Sequence, residues 1–272
     1  MPGPPVVDSA LVEAFRRDGA VCVRGAFSEQ DLTLVETAIE ANLAEPSERA
    51  LVASRPGDPG RFFEDFCNWQ RLPDLEQVAR DSPAAAIAGE LMGATEVRFY
   101  HDHVLVKEPG TTQRTPWHQD QPYYNVAGAQ TCSVWLPVDL VSRAATLEFV
   151  AGSHRGPWLM PRTFMDNEAK WFPDGALEDL PDIERDRSAY EIIGWELEPG
   201  DAVFFNMLTL HCAGGVEGPH RRRVLSLRYL GDDVTHAPRP WKTSPDFPGL
   251  ADELDAGVPM DHPLFPLVWE RV

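Results

Sequence analysis

Thr115-Pro116-Trp117-His118-Gln119-Asp120 is the stretch on which the reading of this chain turns. In extended backbone, residues i and i+2 project to the same side, so His118 and Asp120 are expected to reach one point while Gln119 faces away. A third donor then has to come from a neighbouring strand. The apolar run Asp201-Ala202-Val203-Phe204-Phe205-Asn206, behind a Pro199-Gly200 turn, reads as a core strand that delivers His211. Two imidazoles and one carboxylate from distant segments are the ligand set of a mononuclear non-haem iron(II) site, in which three positions stay open for chemistry.

Arg222 follows in Arg222-Arg223-Val224-Leu225-Ser226-Leu227-Arg228-Tyr229, which reads as a further strand. A permanent cation with a planar fork suits a bidentate grip on a carboxylate, and 2-oxoglutarate needs such a grip at the end that does not chelate metal. With 8 His and 43 Asp plus Glu in the chain, chance supplies roughly one His-x-Asp/Glu, so the dyad alone decides little. The conjunction decides more: Pro116-Trp117 before His118, His211 on a glycine-rich turn, and Arg222 with Ser226 four residues on, met in order.

These motifs resemble the phytanoyl-CoA dioxygenase-like branch of the iron(II) and 2-oxoglutarate dependent oxygenases. Matching text includes Val106-Lys107-Glu108-Pro109-Gly110, the Thr115 to Tyr123 segment, Ser133-Val134-Trp135-Leu136-Pro137-Val138-Asp139, Gly152-Ser153-His154-Arg155, Pro199-Gly200-Asp201 and the His211 to Tyr229 segment. The opening Phe15 to Val23 is similar to the family's helix-strand entry. Position by position, the resemblance implies that His118, Asp120 and His211 bind iron(II) and carry the catalysis. It implies that Arg222 and Ser226 bind 2-oxoglutarate and that Trp135 lines the cosubstrate pocket. Asp120 stands where the halogenase variant has a small residue, which speaks against chloride chemistry. Two positions depart from the family pattern: Ala144-Ala145-Thr146 precedes Leu147, and Cys212 and Ala213 stand where some members place a serine.

Composition bounds the rest. The 272 residues are 43% hydrophobic and 10% aromatic, enough for a sizeable core, and are expected to form one oxygenase domain over 1–272. Within it, 1–95 is expected to be helical support, 96–235 the core and 236–272 a tail packed on it. No apolar run reaches the length of a membrane span, and the first residues lack a signal peptide's pattern, so a soluble, cytoplasmic protein is expected. Cys22, Cys67, Cys132 and Cys212 are singly placed and indicate neither a disulfide framework nor a zinc knuckle. The formal charge of -19 disfavours nucleic acid and argues mildly against a polyanionic coenzyme A thioester. The expected partners are a small-molecule substrate and molecular oxygen, with the chain a monomer or homodimer.

Helical patterning is expected over Asp8 to Arg17, Ser28 to Ala44 and Pro83 to Met92, the second with Ser28 as N-cap and Asp31 at N3. Strands are expected at Ala20 to Arg24, Val97 to Val106, Thr131 to Asp139, Thr146 to Val150, Ala202 to Asn206 and Val224 to Leu230. The fold class is therefore α+β, mainly β: a double-stranded β-helix, a jelly roll of cupin-like form, backed by N-terminal helices. Residues 45–73, with Phe62, Phe63, Phe66 and Trp69, read either as a covering loop or as a packed surface segment. Residues 155–198 read either as a substrate lid or as a solvated excursion anchored by aromatics. His101 and His103 share a strand face and are read as bordering the site rather than ligating metal. His154 is assigned to a turn, and His220, His236 and His262 to the surface. Of the flanking cations Lys107, Arg114, Arg143, Arg155 and Arg162, each is by default solvated.

Under the resemblance, the activity is that of an oxidoreductase hydroxylating a C–H bond, with release of succinate and carbon dioxide. Two other readings stand beside it: a catalytically silent binding or regulatory protein of the same fold, and a metal-dependent isomerase or hydrolase using the same triad. Arg222 discriminates, because neither chemistry needs an anchor for a second carboxylate.

Overall fold

In a computed structural model, residues 7–54, 57–160, 175–216 and 219–271 are described. Helix α1 (Ser9–Asp18) starts where the Asp8 carboxylate accepts the Leu11 N–H at 2.8 Å, and stops at Gly19, whose φ of +81° few other residues adopt. A Cβ at Gly19 would also strike His154 and Thr209. After β1 (Ala20–Val23), α2 (Glu29–Ala44) carries the expected capping box, with Ser28 and Asp31 satisfying each other's backbone N–H groups. Next come β2 (Leu51–Val52), β3 (Phe62–Phe66), α3 (Pro73–Asp81) and α4 (Ala84–Met92).

The strands that follow are β4 (Glu96–Lys107), β5 (Thr115–His118), β6 (Val126–Ala127), β7 (Thr131–Pro137), β8 (Leu147–Val150), β9 (Ile192–Ile193), β10 (Ala202–Phe205), β11 (His211–Ala213), β12 (Arg222–Leu230) and β13 (Thr235–His236). A short helix α5 (Leu250–Glu253) precedes β14 (Leu267–Glu270). The larger sheet runs β1-β10-β7-β12-β4-β3-β2, with β14 also on β4, and the smaller runs β5-β11-β8-β9. All these pairings are antiparallel. Two facing sheets of this kind are the expected jelly roll.

Period-2 alternation explains the layering. Cys132, Val134 and Leu136 of β7, Ala202 and Phe204 of β10, and Leu225, Leu227 and Tyr229 of β12 face one way, and pack with Phe15, Val35, Ile39, Leu75 and Ile87 of the helices. The alternate residues Trp135, Val203, Phe205 and Val224 face the smaller sheet, where Leu147, Phe149 and Ala213 meet them. Helices thus cover the outer face of the larger sheet. Its inner face and the smaller sheet enclose the cavity.

Three expectations change. Residues 45–73 are neither a covering loop nor a surface segment alone, because β2 and β3 extend the larger sheet beyond β4 and Pro73 starts α3. Both faces of β3 are buried, so it lacks the apolar-polar alternation that marks a half-exposed strand. The strand Ala202–Phe205 does not itself deliver His211. It lies between β1 and β7 in the larger sheet, and the chain then turns through residues 206–210 to place His211 on β11 of the smaller one. His236, expected at the surface, is buried with Nδ1 2.8 Å from Leu254 O. Of the 155–198 segment, residues 161–174, including Phe164, Trp171 and Phe172, lie outside the described residues, as does Arg162. Leu159 and Ile183 from its described parts pack with Trp117 and Leu210 beneath the smaller sheet. Among the described residues, no helix is long and apolar enough to cross a membrane.

Candidate metal centre and its cavity

His118, Asp120 and His211 are buried and bring one donor atom each within 4.8 Å of the other two. Antiparallel register sets His211 of β11 opposite His118 of β5, with ring centroids 4.2 Å apart. Asp120 arrives by a different route from the extended i, i+2 geometry expected. The strand ends at His118, and Asp120 has helical φ, ψ of -74° and -46° at the head of a 3-10 turn. Met207 O accepts the N–H groups of both Asp120 and Gln121, tying this turn to the one that leads into His211. Gln119 does face away, donating to Pro157 O and Leu208 O and accepting from Leu159 N.

Each ligand's other polar atom is already committed. His118 Nδ1 lies 2.8 Å from Pro116 O, and His211 Nδ1 lies 2.9 Å from Thr209 O. A carbonyl only accepts, so both Nδ1 atoms carry hydrogen, and the neutral rings then have on Nε2 the lone pair that a metal needs. Those Nε2 atoms lie 3.6 and 3.8 Å from Asp120 Oδ1. Asp120 Oδ2 is held by Ser133 Oγ at 2.8 Å and Arg228 Nε at 3.1 Å. Burial alone pushes the Asp120 carboxyl up, but the Arg228 charge and the neighbouring imidazoles hold it well below the ordinary range. Burial, reinforced by His118, pushes His211 down to about 3, so it is a neutral ligand. The donor set and its tautomers fit a divalent metal.

Sheet register assembles the rest of a cavity of about 400 Å³. One rung across the inner face runs Phe205, Ser133, Arg228, His101, the next runs Val203, Trp135, Ser226, His103, Phe66, and a third places Arg222 beside Lys107 and Phe62. Arg222 is buried, donates through Nη1 to Ala145 O, and has its guanidinium carbon 5.4 Å from the Trp135 ring. Its Nε has no hydrogen-bond partner and no described carboxylate pairs with it, so burial pushes its pKa down to about 10. An unpaired buried cation is costly, and an incoming carboxylate relieves it. Both Trp135 and Ser226 line the cavity. The Ser226 hydroxyl donates to Val134 O at 2.7 Å and accepts from Arg228, so it braces that arginine.

Several residues of the site were not singled out from the sequence. Arg228 and Ser133 fix Asp120, and Glu64 lines the wall, as does Tyr124, which the sequence did suggest as a pocket aromatic and which accepts from Arg228 Nε at 3.1 Å. The signal for Arg228 was present, because period 2 from Arg222 through Ser226 puts it on the same face of β12. Lys107 is not solvated as the default holds. It is buried beside Arg222 and donates to Gln113 O and Gly214 O, joining the loops that flank β5 and β11. Arg114 and Arg143 remain partly exposed and pair with Glu184 and Glu148. His101 and His103 both line the cavity, and neither joins the triad.

Comparison with known proteins agrees with this geometry. A family model described as phytanoyl-CoA dioxygenase (PhyH) matches residues 15–224. The chain belongs to the phytanoyl-CoA dioxygenase family. Among relatives, it is 30% identical over 222 residues to a probable phytanoyl-CoA dioxygenase of Caenorhabditis elegans, covering 79% of this chain and 65% of that protein. The chain thus spans somewhat less than two thirds of that family member. In structure it is similar to the non-heme alpha ketoglutarate dependent carbocyclase SnoK from nogalamycin biosynthesis, with a TM-score of 0.75, 25% identity and 97% of each chain covered. The epimerase SnoN, solved with Fe3+, alpha ketoglutarate and nogalamycin RO, has a TM-score of 0.74 at 23% identity, over 96% of this chain and 98% of its own. This last likeness is one of fold.

Proposed function

We propose that the protein is an iron(II)- and 2-oxoglutarate-dependent dioxygenase that hydroxylates a C–H bond of a small-molecule metabolite. The observation that supports this best is the pairing, in one cavity, of a His-Asp-His triad whose donor atoms converge with a buried arginine that has no anionic partner among the described residues. His118, Asp120 and His211 hold the metal. Arg222 takes the distal carboxylate of 2-oxoglutarate, with the Trp135 ring beneath its guanidinium. When bound, iron(II) with 2-oxoglutarate and molecular oxygen supplies an oxidant able to take hydrogen from carbon, and the cosubstrate leaves as succinate and carbon dioxide. The chain's own residues do the placing: Pro116 and Thr209 carbonyls orient the two imidazoles, Arg228 and Ser133 orient the carboxylate, and Phe205 and Leu147 keep the wall apolar. Ser226 serves the cosubstrate at one remove, by fixing Arg228. Proteins named as a carbocyclase and an epimerase have this fold, so the position of the substrate's C–H bond, not the fold, selects the outcome.

A cupin-type isomerase or a hydrolase that works without 2-oxoglutarate has no use for a buried guanidinium waiting on a second carboxylate, which favours the 2-oxoglutarate-dependent reading over both. Anaerobic titration with iron(II) and 2-oxoglutarate tests it. The wild-type protein is expected to develop the weak visible charge-transfer band that the two give together, while His118→Ala and His211→Ala lose iron affinity with the fold kept by circular dichroism. Absence of the band in wild type, or iron binding undiminished in both variants, sinks the assignment.

A further inference from the structure

The cavity wall contributed by β3 and β4 carries a polar pair that the metal and cosubstrate do not use. Glu64 of β3 is 5% exposed, faces the cavity, and its Oε2 takes no hydrogen bond from the protein. His103 of β4, its ring edge against Phe66, lies on the next rung, with Nε2 3.5 Å from that oxygen and likewise without a hydrogen bond. At that separation the two share no good hydrogen bond, yet both atoms are removed from water. A buried carboxylate oxygen left this way costs free energy that a ligand donor restores. Arg222 does not neutralise it, since burial alone acts on that guanidinium, and Lys107, which does feel the Glu64 charge, gives its hydrogen bonds to Gln113 O and Gly214 O.

The surroundings say more about the ligand. Leu51 and Val52, at the edge of the same sheet, line the cavity while 54% and 49% exposed, so its outer part is apolar. The two arginines lining it are committed, Arg228 to Asp120 and Arg222 to the cosubstrate on the reading above. A phosphate-bearing substrate therefore meets no lysine or arginine to spare among the described lining residues, and it does meet the Glu64 carboxylate.

We propose that Glu64, with His103 beside it, is the substrate-recognition site, and that it selects a compact, largely apolar molecule carrying a hydroxyl or ammonium donor over a phosphorylated or coenzyme A-linked one. Glu64 accepts the donor, His103 limits where it sits, and the apolar body lies along Leu51, Val52 and Phe66. The inference rests on the oxygenase reading for which part of the cavity the cosubstrate leaves to the substrate.

Four probes of one shape test it by calorimetry on protein loaded anaerobically with iron(II) and 2-oxoglutarate: 4-tert-butylcyclohexanol, 4-tert-butylcyclohexylamine, 4-tert-butylcyclohexanone and 4-tert-butylcyclohexyl phosphate. The alcohol and the ammonium ion are expected to bind at least about tenfold more tightly than the ketone, which has no donor, and than the phosphate. Glu64→Leu should erase that preference. Glu64→Gln should keep most of it for the alcohol and lose it for the ammonium ion. Retention of the visible band in each variant reports that the fold and the metal centre are intact. Equal binding of alcohol and ketone, tightest binding of the phosphate, no binding by any probe, or a preference that survives Glu64→Leu overturns the proposal. If the band fails to form in wild type, the oxygenase reading falls, and the same probe series on metal-free protein still decides the role of Glu64.

Discussion

Arg222 and Arg228 sit three rungs apart on one face of one strand and are set to different tasks by what lies opposite each. Arg228 already has its anion in Asp120, whereas among the described residues Arg222 meets a carbonyl and an aromatic ring but no carboxylate partner. Under the proposed function, truncating Arg222 removes a ligand contact. Arg222→Ala is expected to cost about 2 to 5 kcal/mol of 2-oxoglutarate binding, roughly 30-fold to several thousand-fold in affinity, with iron affinity nearly unchanged. Arg222→Lys should recover only part, since a point charge lacks the fork. Arg221 and Arg223 point to the helix side, to Glu40 and to Asp139, Glu36 and Glu40, so their alanine variants serve as controls in the same titration. A larger loss from either control refutes the strand register. For Arg228, Arg228→Met strands a buried carboxylate beside the metal position. It should lower iron affinity about 10- to 100-fold and destabilise the fold by roughly 3 to 5 kcal/mol. Urea unfolding and iron titration read the two effects separately, and a variant as stable and as tight as wild type contradicts the role given to the Asp120–Arg228 pair. Of these two residues, Arg222 was legible from the sequence because its spacing from His211 is local information. The face that Arg228 occupies was legible from the same period of two, but its task was not, because nothing local says that Asp120 lies opposite.

Among the elements, β4 does the most to divide the molecule into a chemical side and a structural side. His101 and His103 face the cavity, and Asp102 between them faces away, where it accepts the N–H groups of Asn68 and Trp69 at the entry to α3. Burial, only partly offset by those hydrogen bonds and by His103, pushes the Asp102 carboxyl up to about 6. An unfolded aspartate titrates near 3.9, so folding favours the protonated form. The stability tied to this group is therefore complete below about pH 4 and is lost as pH rises through about 6. Asp102→Asn should remove that slope. Compared with wild type at pH 4 and pH 7, its urea midpoint should change less unfavourably as pH rises, and an identical pH response in the two proteins counts against the assignment. Strand β4 was expected to within a residue of each end, as were β10 and α2. The missed elements β3 and α3 differ in what they display. β3 is buried on both faces and lacks the alternation of its type, whereas α3 lacks only a side-chain cap and does carry Pro73 at its start, Asp74 and Glu76 in its first turn and Arg80 in its last.

On the scale of the whole molecule, the formal charge of -19 is spread over a small body. Self-repulsion in the folded state weakens as salt shortens the screening length, from roughly 20 Å at about 20 mM to roughly 7 Å at about 200 mM. The melting temperature is expected to rise across that range in sodium chloride, and a flat or falling midpoint by calorimetry argues that surface ion pairs outweigh repulsion. The cavity does not share that excess, because Arg222 and Arg228 line it together with Asp120 and Glu64, which is why net charge bore on partner classes but said nothing of the pocket. The residues alone determined the His118, Asp120 and His211 grouping, the strand-rich core and the capping box of α2, and singled out Arg222, because alternation, capping chemistry and residue spacing are carried by a few neighbouring side chains. Only the tertiary structure decided that Asp120 comes from a helical turn, that His211 belongs to the opposite sheet from the strand before it, and that Ser226 braces Arg228. It alone brought Glu64 to the cavity wall beside His103. Each of these depends on the register between strands far apart in the chain, and a shift of one residue in that register moves every side chain to the other face.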